Sequence, residues 1–289
     1  MAVAVNIDGR VHGENDARVS VFDHGFLYGE GVYEVLRTYG GRLFLFPEHM
    51  ARLHASGRRI ALACPVDDDE MLARIRETIA AAQLPGDAYV RILLTRGVGD
   101  LVYDPAACPT PTLVIIVRPH GEVPEGVVRE GVRLALVSVV RNMPASVDPA
   151  IKSNNLLNNA LAVQEARSRG GFEALMKNYR GELCECAQSN VFLVRDGALL
   201  TPPPEAGLLV GITRGFVMEL AARLGLAVRE VPLHEDDLAT ADEAFITSST
   251  KEIVPVVAVD AQPIGDGKPG AVTRRLIEAF QAAVVERLT

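Results

Sequence analysis

The chain has 289 residues, of which 48% are hydrophobic and 23% charged, and it carries a net charge of −8 at pH 7. That balance suits one large or two smaller packed domains and excludes a disordered chain. The acidic excess argues against nucleic acid or an anionic membrane as the main partner, while leaving room for a small anion in a locally positive pocket.

The predicted elements alternate between strand and helix, an α/β pattern. "VNIDGRV" reads as a strand, a turn at Asp8-Gly9 and a second strand. "GVYEVLRTYGGRLFLF" reads as two strands joined at Gly40-Gly41. Pro47, at its favoured first helical position, opens a helix that runs to about Leu62. Asp67, Asp68, Asp69 and Glu70 crowd the positive end of the next helix. That helix turns Met71, Leu72, Ile75 and Ile79 inward and stops at Pro85-Gly86. "AYVRILLTRG" and "TLVIIV" read as buried or half-buried strands.

The Pro- and Gly-rich stretch "RPHGEVPEG", residues 118 to 126, marks a linker. The expected division is therefore a smaller N-terminal domain over 1–118, a linker over 119–127 and a larger domain over 128–289. Past the linker, "VRLALVSVV" is a strand. In "IKSNNLLNNALAVQEA", apolar residues at Leu156, Leu157, Ala160, Leu161 and Val163 recur with a helical period. Ser153 and the two asparagines after it have capping chemistry, which puts Lys152 just ahead of the positive end of that helix. "FEALMKN", "NVFLVRDGALLTP", "EAFITSS" and "EIVPVVAVD" supply further strands. "GITRGFVMELAARLGL" is a helix ended by Gly225, and a last helix starts near Ala271.

Cys64, Cys108, Cys184 and Cys186 have no zinc-site spacing, and reduced thiols in a cytoplasmic protein are the expectation, with no metal. The N-terminal residues lack a basic region followed by a long apolar run, so no signal peptide is expected. No stretch reaches the roughly 18 apolar residues of a membrane span.

Five features carry chemistry. Lys152 is either an exposed loop lysine or an amine whose lowered pKa lets it attack a carbonyl. In "GLLVGITRG", Gly211 precedes Ile212 and Thr213 at a helix start, which is either an ordinary helix N-terminus or a phosphate seat. "FITSST" gathers the hydroxyls of Thr247, Ser248, Ser249 and Thr250 at one strand end, where they bind an anion or cap a turn. Arg52, four residues after Glu48, is either half of a surface ion pair or a bidentate phosphate clamp. Glu185, between two cysteines and just before a predicted strand, is either a turn glutamate or a carboxylate that holds a proton on a ring nitrogen. One lysine, one carboxylate and several phosphate donors on separate elements match what pyridoxal phosphate demands.

The chain resembles the class IV, fold-type IV pyridoxal-phosphate aminotransferases, a group that includes branched-chain aminotransferases, D-amino acid aminotransferases and 4-amino-4-deoxychorismate lyase. The stretches that carry the resemblance span nearly the whole chain. They are "VFDHGFLYGEGVYEVLRTYGGRLFLFPEHMARL", "RGVGDLVYDPAACPTPTLVIIV", "IKSNNLLNNALAVQEA", "ECAQSNVFLV", "GITRGFVMELAARLGL" and "ITSSTKEIVPV". The resemblance implies two α/β domains with pyridoxal 5'-phosphate between them. It implies at least a homodimer, because in this family a neighbouring subunit completes the site.

By the same resemblance, Lys152 is the Schiff-base and proton-transfer lysine, and Glu185 is the partner of the pyridine nitrogen. Arg52 is the phosphate arginine, and Ile212 and Thr213 form the phosphate seat, with Ser249 and Thr250 as further ligands. Leu209 packs on the cofactor ring, and Tyr28, Tyr33 and Arg37 match substrate-pocket positions. The substrates implied are an amino acid and a 2-oxo acid.

Subfamily markers point both ways. "RGVGDLVYDP" and Arg37 are similar to prokaryotic branched-chain enzymes. Tyr33-Glu34-Val35 is similar to D-amino acid enzymes, Leu157 stands where many branched-chain enzymes carry tyrosine, and "ECAQSNVF" departs from their usual "EGSGENIF". The Arg-x-His carboxylate trap of D-specific enzymes is replaced by Leu101 and Tyr103. The expectation is transamination of L-branched-chain or other hydrophobic amino acids with 2-oxoglutarate. D-amino acid or (R)-amine transamination is the alternative, ahead of lyase activity or a non-enzymatic paralogue.

Overall fold

A computed structural model describes residues 3–288 and divides them into two units. The first runs to Gly121 and takes in Ile151–Leu156; the second comprises Glu122–Ala150 and Leu157–Arg287.

The first unit contains β1 (Ala4–Ile7), β2 (Arg10–Gly13), α1 (His24–Tyr28), β3 (Gly31–Tyr39) and β4 (Arg42–Leu43). It continues with α2 (Phe46–Arg59), α3 (Asp68–Ala82), β5 (Ala88–Thr95) and β6 (Thr112–Pro119). The strands form one antiparallel sheet in the order β2-β1-β6-β5-β3-β4. Strand alternation sorts its side chains onto two faces. Val32, Leu36, Val90, Ile92, Leu94, Ile115 and Val117 pack with Met50 and Leu53 of α2 and Met71 and Ile75 of α3. The opposite face carries arginines stacked on tyrosines: Arg91 lies 4.2 Å from the Tyr33 ring centroid, Arg37 4.0 Å from Tyr39 and Arg118 4.5 Å from Tyr89.

The apolar face of β3 has one acidic interruption, Glu34, which is fully buried. Arg52 of α2 donates from Nε to Glu34 Oε1 at 2.7 Å and from Nη2 to Oε2 at 2.8 Å. His49 lies 2.7 Å from Oε2 through Nδ1, so Nδ1 carries the donated proton. Burial raises the Glu34 pKa and is the largest single effect, but the charge and hydrogen bonds of Arg52 and the hydrogen bond of His49 outweigh it and hold the carboxyl well below its ordinary value. Burial lowers the pKa of His49, and its bond to Glu34 only partly opposes this.

The second unit contains α4 (Glu125–Glu130), β7 (Val132–Leu136), α5 (Leu157–Ser168), β8 (Glu173–Lys177), β9 (Leu183–Cys186), β10 (Asn190–Arg195) and β11 (Ala198–Thr201). It ends with α6 (Ile212–Arg223), β12 (Val228–Glu230), α7 (Glu235–Thr240), β13 (Glu243–Ser248), β14 (Glu252–Val259), β15 (Gln262–Pro263) and α8 (Ala271–Leu288). The sheet order is β12-β11-β10-β13-β14-β7-β8-β9, with β15 on β14. The β11–β12, β14–β7 and β7–β8 pairs are parallel and the rest antiparallel. Val132, Leu134, Val191, Leu193, Ala244 and Ile246 fill a core on one face. On the other, Phe192 and Phe245 stack at 4.8 Å, while Ala135 and Ala174 pack with Ala162 and Ala166 of α5.

Several sequence expectations are corrected. Arg118 and Pro119 still belong to β6, and α4 begins at Glu125, so the linker is shorter than the composition implied. The helix after Lys152 starts only at Leu157. The residues read as its cap are occupied elsewhere: Ser153 pairs with Val32, Asn154 N–H donates to Gly31 O and Asn155 N–H donates to Ser153 Oγ. Lys152 is thus not at a helix terminus, and its stretch groups with the first unit rather than with the C-terminal one. The helix also buries a different face, Ala162 and Ala166, and leaves Leu157 and Leu161 exposed, because small side chains let it lie close to β7 and β8.

Two stability measurements check this packing. Phe245→Ala is expected to lose about 3–5 kcal/mol in denaturant unfolding. For the first unit, both Glu34 and His49 have folded-state pKa values below their ordinary 4.5 and 6.5, so the unfolded chain binds protons more readily as pH falls. Stability is therefore complete above 6.5, declines below it as unfolded His49 charges, and declines further below 4.5. Glu34→Gln is expected to cost about 3–5 kcal/mol at pH 7 and to flatten the loss below pH 4.5, read from urea midpoints across pH.

Candidate functional site

The first unit holds five of the residues singled out from the sequence. His49, Arg52 and Ser56 are spaced three and four apart, which lines them along one face of α2. The first two grip Glu34 on β3, and the third accepts a hydrogen bond from the Lys152 N–H at 3.2 Å. The Lys152 carbonyl accepts from Tyr33 N–H at 2.9 Å. Lys152 is thereby tied to both α2 and β3. A Cβ on Gly31 would stand 2.6 Å from Asn154 Nδ2 and 2.7 Å from Leu94 O, so only glycine lets this stretch approach the strand.

The side chain of Lys152 reaches to 4.5 Å from the Tyr33 ring centroid, and its charge is among those that lower the His49 pKa. Lys152, Tyr33 and Arg52 thus belong to one neighbourhood. Arg91, which the sequence did not flag, approaches the same Tyr33 ring. Tyr28 ends α1 in a separate aromatic group, 4.8 Å from His24 and 4.9 Å from Tyr103. Arg37 shares the Tyr33 face of β3 but lies four residues, roughly 13 Å, along it. It stacks on Tyr39 and donates to Thr38 O.

The second unit holds the other six. Glu185 precedes β10, the strand the sequence suggested, but itself lies within a further strand, β9, and it is buried. Its Oε1 accepts from Arg141 Nε at 2.8 Å; its Oε2 accepts from Leu209 N–H at 3.1 Å and, at a longer 3.4 Å, from Asn190 Nδ2. Asn190 also donates to Leu209 O, and Arg141 donates to Asn158 Oδ1. Several donors and a guanidinium partner match a carboxylate, because hydrogen bonds to a charged acceptor are the stronger ones. Cys184 and Cys186 flank it with buried thiols, and burial pushes both pKa values up, so neither thiol is poised to react.

Ile212 and Thr213 open α6, and Gly211 before them caps it with no side-chain bond. The cap residue itself therefore supplies no side-chain acceptor to the N-terminal N–H groups of α6. A Cβ on Gly211 would fall 2.0 Å from Asn190 Oδ1, which places this helix end against the residue that supports Glu185. Thr247 pairs across the sheet with Asn190, and its buried hydroxyl has no hydrogen-bond partner. Ser249 and Thr250 follow in the turn that joins β13 to β14. Glu185, Leu209 and the α6 start thus form one connected group, and the hydroxyl turn continues the strand beside it.

Sequence reasoning missed Glu34, His49, Arg141 and Asn190. For Glu34 a signal exists, because a carboxylate at an inward position between Val32 and Leu36 requires a partner. The others are recognisable only from their tertiary partners. Among the described residues no cluster of His, Cys, Asp or Glu could hold a metal ion, and no helix is long and apolar enough to cross a membrane.

Comparison with known proteins identifies the family. Residues 31–259 match the model of amino-transferase class IV. A protein of Methanocaldococcus jannaschii named "Putative branched-chain-amino-acid aminotransferase" is 42% identical over 96% of this chain and 95% of its own. A D-alanine aminotransferase of Listeria innocua is 35% identical over 97% of this chain and 96% of its own. Among solved structures, the branched-chain amino acid aminotransferase of Escherichia coli superposes with a TM-score of 0.93 at 33% identity, covering 98% of this chain and 94% of the other. With two anchored carboxylates, a lysine docked on the Tyr33 strand and a match that spans most of its length, the chain belongs to the class IV aminotransferases, which are pyridoxal-phosphate enzymes.

Proposed function

We propose that this enzyme uses pyridoxal 5'-phosphate to exchange amino groups between an L-branched-chain or other hydrophobic amino acid and a 2-oxo acid such as 2-oxoglutarate. The observation that carries the substrate reading is the 42% identity over nearly full length to a protein named for branched-chain amino acids. Leu101 and Tyr103 agree with it, since neither offers a cationic trap for a carboxylate. The D-amino acid reading stays as the alternative because D-alanine aminotransferases at 33–35% identity cover the chain equally well, in keeping with the Tyr33-Glu34-Val35 marker.

The residues present fit the cofactor. An uncapped helix start at Gly211 and a buried, unpartnered Thr247 hydroxyl beside it are what a phosphate group satisfies. Ile212, Thr213, Ser249, Thr250 and Arg52 would hold that phosphate. The Glu185 carboxyl group suits a protonated ring nitrogen, and half-buried Leu209 suits a ring face. When bound, pyridoxal phosphate supplies an aldehyde that condenses with amines and a ring that accepts the electrons released at the substrate Cα.

In this reading the Lys152 amine takes the Cα proton and later returns it. Its backbone bonds to Tyr33 and Ser56 fix where that amine begins its reach. Glu185, oriented by Arg141 and Leu209 N–H, holds the proton at the ring nitrogen. Arg52 has five N–H donors and commits two to Glu34, which fixes the plane of its guanidinium before it meets an anion. Tyr28, Tyr33, Arg37 and Arg91 are the proposed substrate contacts. We infer a cytoplasmic homodimer or larger assembly; exposed apolar side chains at Val21, Phe22, Phe26, Leu101 and Tyr103 favour a partner surface.

Incubation with 2-oxoglutarate and either L-leucine or D-alanine is expected to give glutamate with L-leucine; turnover of D-alanine alone would reverse the assignment. Lys152→Ala is expected to lower kcat by about a thousandfold or more. Borohydride reduction after incubation with pyridoxal phosphate should fix the label on the peptide containing Lys152, and a label on any other residue would reject the assignment.

A further inference from the structure

The turns beside the candidate site are held by a buried ion pair that none of the roles above uses. Glu173 on β8 is 4% exposed. Its Oε1 accepts from Gln188 N–H at 2.7 Å, and its Oε2 accepts from Ser189 Oγ at 3.0 Å and from Lys251 Nζ at 2.8 Å. Lys251 also reaches Gln188 Oε1 at 3.4 Å, and its own N–H bonds Ser248 Oγ at 3.3 Å. One carboxylate therefore fastens two turns. The first, Cys186–Ser189, joins the strand of Glu185 to the strand of Asn190 and is closed by Cys186 N–H on Ser189 O at 2.7 Å. The second, Ser248–Lys251, carries Ser249 and Thr250.

The two turns lie at the same end of paired strands, since Asn190 opposes Thr247 directly. Nothing in the β10–β13 ladder itself fixes the turn beyond Ser248. The Ser248–Glu252 pair of the β13–β14 hairpin closes that turn at its base, and the ammonium of Lys251 adds its tie to the neighbouring Cys186–Ser189 turn, while its charge makes Glu173 tolerable in a buried position. Both turns depart from an ordinary surface loop in this respect: the anchor is desolvated, so it does not exchange with water at low cost.

We propose that the Glu173–Lys251 pair is a positioning clamp that presets the Ser249–Thr250 turn for the phosphate group of pyridoxal phosphate. The inference rests on the cofactor reading given above. Neither residue touches the cofactor; each acts through the turn, in the way that outer groups orient ligating ones. A clamp of this kind acts on cofactor affinity, whereas a purely stabilising ion pair acts on unfolding alone.

The test measures pyridoxal phosphate dissociation constants for the apo form of the full chain by absorbance titration, alongside melting curves. Lys251→Met leaves a buried charge unpaired, so the neutral double variant Glu173→Gln with Lys251→Met is measured beside it. Both are expected to bind the cofactor about tenfold more weakly. Lys251→Arg, which keeps a cationic donor, is expected to stay within about threefold of wild type. Equal affinity in wild type and in a folded double variant overturns the clamp alone. A wild-type chain that takes up no pyridoxal phosphate overturns the cofactor reading, and the clamp with it.

Discussion

Glu34 is the constraint on which the first unit's geometry depends. A carboxylate with no water around it has to be met by donors, and α2 supplies them, through Arg52 and His49. The distance and rotation of α2 relative to β3 are fixed by that requirement. The hydrophobic contacts of Met50 and Leu53 alone would tolerate sliding, whereas a bidentate guanidinium–carboxylate pair does not. Lys152 inherits the result, because its N–H bonds Ser56 on α2 and its carbonyl bonds Tyr33 on β3. A lysine attached at both sides of a rigid pair starts its side chain from a defined point.

The second unit repeats the scheme with the roles exchanged. Glu185 is again a buried carboxylate on a strand met by an arginine from another element. In the first unit the carboxylate orients the arginine, which is the proposed phosphate contact. In the second the arginine orients the carboxylate, which is the proposed ring-nitrogen contact. Each arrangement keeps a charge out of water only because the opposite charge is hydrogen-bonded to it, and each would be strongly destabilised by losing one partner. Leu209 joins the second arrangement through its backbone N–H, so the same bond that anchors Glu185 also sets where the Leu209 side chain starts.

Much of the fold was legible because its signals are local. The acidic run ahead of α3, Pro47 in α2, the Gly40-Gly41 turn and the apolar strands β5 and β6 each announce themselves within a few residues. The errors arose where one local signal serves two structures. Ser153, Asn154 and Asn155 suit a helix cap, yet the same side chains and backbone groups serve a turn paired to β3. The α5 pattern was misread for a related reason: the leucines gave the stronger apolar signal, but the alanines permit closer approach and took the core. For the candidate site, motif order pointed to Lys152, Glu185, Arg52 and the α6 start. It could not reveal Arg141, His49 or Asn190, whose importance lies wholly in partners far away in sequence.

The position of Lys152 then has a different physical basis from the one its sequence suggested. A helix N-terminus would depress the amine's proton affinity through the macrodipole, over one turn only and weakened by salt. The observed stretch, ending five residues after Lys152 where α5 begins, offers no such end to the lysine. What it offers is contact: the Tyr33 ring on one side, and on α2 the charged neighbourhood of His49 and Arg52, with Gly31 cleared of a side chain so that the strand can be approached. Arg52 and Glu34 fix that neighbourhood as a buried ion pair, which salt screens less than it screens an exposed charge. The sequence feature that matters for the lysine is therefore the strand it docks on, and above all the glutamate at the centre of that strand.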